Sequence, residues 1–342
     1  MLTGVLTAWL CLGLSGCGLS IKPEKLELQD RDTNINFDSD YILIFGDLQE
    51  YTNDEWTAAT FYRQSIEWIS SQLHYGMKIP CILEVGDVTW NNWDYQWESF
   101  RVNTQDITST VPYFVCTGNH DYDYDTKGKI PDRNSTMINQ YCQFESTMEK
   151  IIAYYDPVGK SLENYVAQVY VNQKDVYLLV LEFGPRKEVL EWAIGYVRSN
   201  PDKRFILMTH EFLTAKGKRI STGSYAQAQF EGYSSYSTPE QVWQKLVYPN
   251  NNIVCVLCGH NGFSAQLFSK NAAGREVPQI LFNLQYYKDP SDSSFTSGCN
   301  WMIQLWEFLP DGTVHCRVYN THFRTWASTK TYSTDFSFKF DY

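Results

Sequence analysis

Five apolar runs in this 342-residue chain end in the same way, and that repetition restricts the possible folds more than any other feature. Residues 41–45 run into Gly46-Asp47, 81–85 into Gly86-Asp87, and 111–116 into Thr117-Gly118-Asn119-His120-Asp121. Further on, 205–208 run into Thr209-His210 and 253–257 into Cys258-Gly259-His260. Apolar runs this continuous suit strands covered on both faces. In open α/β sheets ligands bind at the carboxyl ends of the strands, so five strands are expected to deliver Asp, Asn and His to one rim. The glycines let the backbone turn tightly there.

Between these runs the pattern alternates. Trp56, Ala59, Tyr62, Ile66, Ile69 and Leu73 recur at spacings of three and four, which predicts a long helix stopping at Gly76. A second helix is expected over 91–107, with Trp90, Trp93 and Trp97 near its start; aromatics at a strand–helix junction read first as packing, second as a stacking surface. Residues 122–135 are polar, with Gly128 and Pro131, and read as a surface loop at the rim of the site. Residues 137–155 read as helical, 165–171 and 176–183 as an antiparallel pair, and 185–197 as a helix opened by Pro185. Residues 221–238, rich in Ser, Gly, Tyr and Gln, read as a long loop. Four runs at 263–269, 277–282, 302–308 and 314–319 then suggest hairpins, with Pro310-Asp311-Gly312 as a turn.

With 43% apolar and 20% charged residues the chain is expected to pack as an ordinary globular protein. A net charge of −11 argues against a broad basic footprint, so long nucleic acid is not an expected partner. Residues 1–20 hold no Lys, Arg, Asp or Glu, and the apolar run 5–14, ending in Leu14-Ser15-Gly16-Cys17, is too short to span a bilayer. It is similar to a bacterial lipoprotein cleavage box. The expected organisation is a signal segment over 1–17, a tether over 18–36 and one domain over 37–342. Cys17 would then carry a lipid anchor to the bacterial cell envelope; a plain secretory signal would instead give a secreted or periplasmic protein. Past Cys17 remain Cys81, Cys116, Cys142, Cys255, Cys258, Cys299 and Cys316, an odd set that indicates no disulfide framework. The odd spacing of Cys255 and Cys258 in a strand throws them to opposite faces, which speaks against a local zinc site.

Asp, Asn and His offer oxygen and imidazole nitrogen, a mixture that suits Mn, Fe or Zn better than a thiolate-bound metal does. Any one of these residues alone is more often a cap or a hydrogen-bonded side chain; the series carries the metal reading. In order, the blocks resemble those of the calcineurin-like metallophosphoesterase superfamily: Asp-x-His, Gly-Asp, Gly-Asn-His-Asp or Glu, His, and Gly-His-x-His. Residues from Gly274-Arg275 to Gln285 are similar to a secreted or envelope subgroup of it. The resemblance implies an α/β fold, a four-layer αββα sandwich of two mixed β-sheets, holding two divalent or trivalent metal ions. It implies a metal-dependent phosphoric ester hydrolase acting on small phosphate mono- or diesters, with water activated between the two ions as nucleophile.

Carried over by position, Asp47 would bind the first metal, Asp87 would bridge both, and Asn119, His210 and His260 would complete the second. His120 would serve the leaving oxygen, with Asp121 fixing its ring. Two departures fall on the first metal: Gln49 stands where the family has His, and Gly262 where the last block ends in His. Gln49 is expected to coordinate, with Asn283 or Gln285 partly filling the gap, which makes the first site weaker and more suited to Mn, Mg or Ca. His74, His315 and His322 read as structural. Two other functions stay open: an envelope-tethered binding protein that keeps the fold without turnover, and aromatic-lined carbohydrate capture.

Overall fold

The computed structural model describes residues 28–53, 58–125, 127–285, 302–327 and 333–340. The first three apolar runs form β1 (Asp40–Phe45), β2 (Lys78–Glu84) and β3 (Tyr113–Val115), all parallel. Helices α1 (Gln49–Asn53) and α2 (Ala58–His74) join β1 to β2, and α3 (Asp94–Thr108) joins β2 to β3. Gly76, at φ +91°, ends the α2 segment, a conformation that glycine adopts without the usual penalty.

A second sheet follows, from β4 (Ile151–Tyr154), β5 (Tyr165–Val171), β6 (Lys174–Val180), β7 (Phe205–Met208), β8 (Ile253–Cys258), β9 (Phe263–Lys270) and β10 (Glu276–Asn283). Its spatial order is β4-β5-β6-β7-β8-β10-β9, and β6, β7, β8 and β10 run parallel. The chain then returns to the first sheet with β11 (Met302–Phe308), β12 (Thr313–Asn320), β13 (Thr325–Trp326) and β14 (Asp335–Lys339). There the order is β13-β12-β11-β1-β2-β3, with β14 also on β12. Each sheet thus mixes parallel and antiparallel pairs, as expected.

Alternation along β6 shows how the layers stack. Val176, Leu178 and Val180 enter the large core shared with the first sheet, while Tyr177, Leu179 and Leu181 enter a second core. That second core is closed by Val189, Leu190, Ala193 and Val197 of the helix Lys187–Arg198, whose spacing of three and four builds one apolar face. On the other side Tyr62 of α2 and Phe100 of α3 stack at 6.2 Å, and Phe45 of β1 meets Tyr62 at 5.4 Å. The result is helices, sheet, sheet, helices. Each fully buried large side chain contributes about 1.5–3 kcal/mol, and Trp68, Trp97 and Trp306 are wholly enclosed.

Three expectations need correction. Residues 137–155 do not form one helix: two short turns, Ile138–Tyr141 and Glu145–Met148, precede β4, and pairing with β5 draws Ile151–Tyr154 into the sheet. The expected loop over 221–238 contains the helix Tyr225–Phe230, capped by Ser224, whose Oγ accepts from Gln227 N at 2.9 Å. The expected tether over 18–36 is not free along its whole length. Asp32 accepts from Trp68 Nε1 at 2.9 Å, and Ile35 is buried in the main core.

The signal segment, Cys17 and Cys299 lie outside the described residues. Cys81, Cys116, Cys142, Cys255, Cys258 and Cys316 are buried and unbridged. Cys255 and Cys258 face different cores. No helix among the described residues is long and apolar enough to cross a membrane.

Candidate metal centre

The loops after β1, β2, β3, β7 and β8 meet at one end of the sandwich. Three of the residues they deliver, Asp47, Asp87 and His260, sit at φ +33°, +55° and +69°. The left-handed region is costly for residues other than glycine and persists where the surroundings over-determine it, which is commonest at functional sites. Crowding is the reason for the neighbouring glycines. A Cβ on Gly86, at φ +100°, would lie 2.7 Å from His210 Nδ1, and one on Gly118 would collide with the Asp87 carboxylate and its backbone nitrogen.

Ligand atoms of Asp87, His210 and His260 all lie within 4.8 Å of one another. His210 Nδ1–H donates to Val85 O at 2.7 Å, which turns Nε2 toward Asp87 Oδ2, 3.1 Å away. Such outer hydrogen bonds fix the ring and the coordinating nitrogen of metal-binding histidines. Asn119 is buried, and its Oδ1 has no hydrogen-bond partner, while its Nδ2 donates to Tyr124 Oη at 3.2 Å. The His120 N–H donates to Asp87 Oδ1 at 2.9 Å and pins the Asn119–Asp121 turn against the cluster.

Electrostatics follow from burial and proximity. Burial resists charging Asp87, but His210, with His120 and His260, drives its carboxyl well below the ordinary range. Burial likewise opposes charge on His210, yet Asp87 and Asp47 outweigh it and raise that imidazole to about 10. His260, penalised by burial and then by the charged His210, drops to about 3. A metal bound here would compete with the proton that Asp87 and Asp47 favour on His210.

Asp47 is fully buried; Oδ1 accepts the His260 N–H at 3.1 Å and Oδ2 accepts Asn283 Nδ2 at 2.5 Å. Gln49 Nε2 is 3.4 Å from Asp87 Oδ2, and its Oε1 is buried without a partner, as is Gln285 Oε1. Asn283 Oδ1 accepts the Gln285 N–H, so the network turns the Asn283 amide nitrogen toward Asp47. Asn283 thus lines the site as a donor to Asp47. A correction concerns Asp121. Its carboxylate accepts from Thr89 N at 2.8 Å, Thr89 Oγ1 at 3.1 Å and Gly118 N at 2.9 Å, and so holds the turn. The His120 ring is instead oriented by Trp90 O, 2.8 Å from Nδ1.

The sequence profile of the calcineurin-like phosphoesterase family matches residues 38–261, from β1 through the last of these loops. The chain belongs to that family. It is 24% identical over 201 residues to the uncharacterized protein YvnB of Bacillus subtilis, a stretch covering 58% of this chain and 14% of that one. It is also 33% identical over 91 residues to a protein named probable inactive purple acid phosphatase 27 of Arabidopsis thaliana, covering 26% of this chain and 15% of the relative. Both matches thus span a small part of the relatives' length. Among solved structures, purple acid phosphatase PPD1 from yellow lupin (Lupinus luteus) seeds superposes with a TM-score of 0.53 at 13% identity, over 89% of this chain and 54% of that one. That likeness concerns the fold.

Calcineurin-like phosphoesterases usually hold a dinuclear metal centre, and the two halves of this site fit it unequally. Asp87, Asn119, His210 and His260 fit an ion: a carboxylate, two imidazoles and an orphaned amide oxygen, the mixture that suits Mn, Fe or Zn. The other half has no imidazole. A Cβ on Gly262 would meet nothing within 4 Å, so the place of the family's last histidine is open space. What remains is Asp47, Asp87 and the orphaned oxygen of Gln49, all hard donors.

Two groups that matter escaped the sequence reading. Glu84, at the end of β2, is fully buried with both carboxylate oxygens unpartnered; a charged residue inside the apolar run 81–85 was the available signal. Glu211 accepts from the N–H groups of Tyr225 at 2.6 Å and Ala226 at 3.2 Å, and so fixes the helix Tyr225–Phe230 beside the site. No local pattern announces a cap supplied from fourteen residues away.

Proposed function

We propose that this protein is a metal-dependent phosphoesterase that hydrolyses small phosphate mono- or diesters. The observation that carries the reading is the buried Asp87, His210 and His260 cluster with the unpartnered Asn119 Oδ1 beside it. Ions bound there would polarise a phosphoryl oxygen and lower the pKa of water. Asp87, Asn119, His210 and His260 would hold the tighter ion, and Asp47 and Gln49 a weaker, harder one such as Mn, Mg or Ca.

The chain's own residues supply the rest. His120 has Nδ1–H committed to Trp90 O, which leaves Nε2 to carry a proton to the leaving oxygen. Asp121 and Thr89 keep the turn rigid under it, and the burial of Asp47 and Asp87 excludes bulk water from the carboxylates. Hydrolysis of bis-p-nitrophenyl phosphate by Mn-supplemented protein, wild type against Asp87→Asn, tests this. Wild-type turnover that the variant loses supports the reading; two equally inert, metal-free proteins overturn it.

A second reading is a binding protein that keeps the fold without turnover. The half at Asp47 favours it, because Gln49 and Gly262 leave that half without an imidazole to hold a first metal. Metal bound with no turnover of any ester would support it. We also propose that the chain is lipid-anchored at Cys17 in a bacterial envelope. Labelled fatty acid incorporated into wild type and absent from Cys17→Ser would support that; equal labelling would contradict it.

A further inference from the structure

We propose that Trp90 and Tyr225 form a subsite for the leaving group, and that it takes a flat aromatic ring. The preferred substrate is then a phosphate ester whose alcohol portion carries such a ring, a nucleobase or an aryl group. This rests on the phosphoesterase reading above.

Trp90 is half-buried, and its ring lies 5.1 Å from that of His120 at an interplanar angle of 32°. His120 is the group placed to serve the leaving oxygen, so the departing alcohol emerges beside the indole. On the side of the second sheet, Tyr225 is 45% exposed, with its ring 5.0 Å from that of His260. An exposed aromatic at a metal centre is informative when its backbone is fixed, and here it is. Glu211 accepts the Tyr225 and Ala226 N–H groups, Ser224 caps the helix, and Arg133 lies 3.8 Å over the Phe230 ring at the other end.

Recognition of the alcohol portion then falls to the exposed faces of Trp90 and Tyr225. Stacking on such faces tolerates any flat ring and rejects a saturated one.

The test uses metal-loaded full-length protein and phosphonates in which a methylene replaces the ester oxygen, so that binding is read without turnover. One pair is the phosphonate analogue of AMP against that of ribose 5-phosphate. The other is 2-phenylethylphosphonate against 2-cyclohexylethylphosphonate. By calorimetry the member of at least one pair that carries the flat aromatic ring should bind about tenfold more tightly. A preference confined to the first pair assigns a nucleobase, and one confined to the second an aryl group. Trp90→Leu and the more exposed Tyr225→Ser should each draw the ratio toward one while metal content stays at the wild-type level. Equal affinities within both pairs, or ratios untouched by both variants, overturn the subsite. Either result is independent of bis-p-nitrophenyl phosphate hydrolysis, whose absence would overturn the phosphoesterase reading instead.

Discussion

At the scale of single residues, the site is a set of buried polar groups whose costs are offset by one another or by an ion. Glu84 is the exception, since no hydrogen bond reaches its carboxyl. Burial first, then the nearby Asp47 and Asp121, hold that group protonated, well above its ordinary 4.5. Above about pH 4.5 the unfolded chain therefore releases a proton that the native protein keeps, and stability falls as pH rises, by up to about 1.4 kcal/mol per unit. Urea unfolding of metal-free protein at pH 5.5 and pH 8 should show this slope, and Glu84→Gln should flatten it. An identical slope in both proteins would remove Glu84 as its source. His120 gives a second prediction. If it protonates the leaving oxygen, His120→Ala should lower turnover by about 10²–10⁴ for an alkyl leaving group and far less for p-nitrophenolate, which departs without a proton. Equal losses for both would assign His120 to structure alone. The convergence of these side chains on one rim was legible because each follows an apolar run. The partner of the His120 ring was not, because a main-chain oxygen such as Trp90 O leaves no trace in side-chain identity.

At the scale of elements, strands with strong period or continuous apolar character were readable, and β7 occupies the expected 205–208. What could not be read were pieces defined by tertiary partners: β4 exists because β5 pairs with it, and the helix Tyr225–Phe230 because Glu211 caps it. Arg133 shows how these pieces are locked. Its guanidinium donates to Phe183 O at 3.2 Å, Gly184 O at 2.8 Å and Ser235 O at 3.0 Å, and approaches Glu182 within 3.5 Å. It therefore ties the 122–135 loop to the loops after β6 and after the Tyr225 helix. Removing it leaves Glu182, still paired with Arg186 at 2.8 Å, and several carbonyls short of a donor. Arg133→Ala should cost about 2–4 kcal/mol in chemical denaturation and loosen the rim. A loss under about 0.5 kcal/mol, the range of ordinary surface substitutions, would contradict the clamp.

For the whole molecule, two sheets packed face to face bring five distant loops to one end, and the result is a lopsided centre. The half built from Asp87, Asn119, His210 and His260 offers imidazole nitrogens to an ion; the half at Asp47 offers none, because Gln49 and Gly262 stand where the family pattern has histidines. Metal loading should raise the melting temperature, since an ion that binds only the native state stabilises it by mass action. Mild chelation should then remove the ions in two steps, the weaker leaving first. Elemental analysis after each step would show it, and two ions released together would argue for equal sites. The most direct measurement is an anomalous-scattering map from crystals soaked in Mn. The account predicts its strongest peak among Asp87, Asn119, His210 and His260, with any weaker peak beside Asp47. No peak within coordination distance of those four side chains, or a stronger one elsewhere, would contradict it.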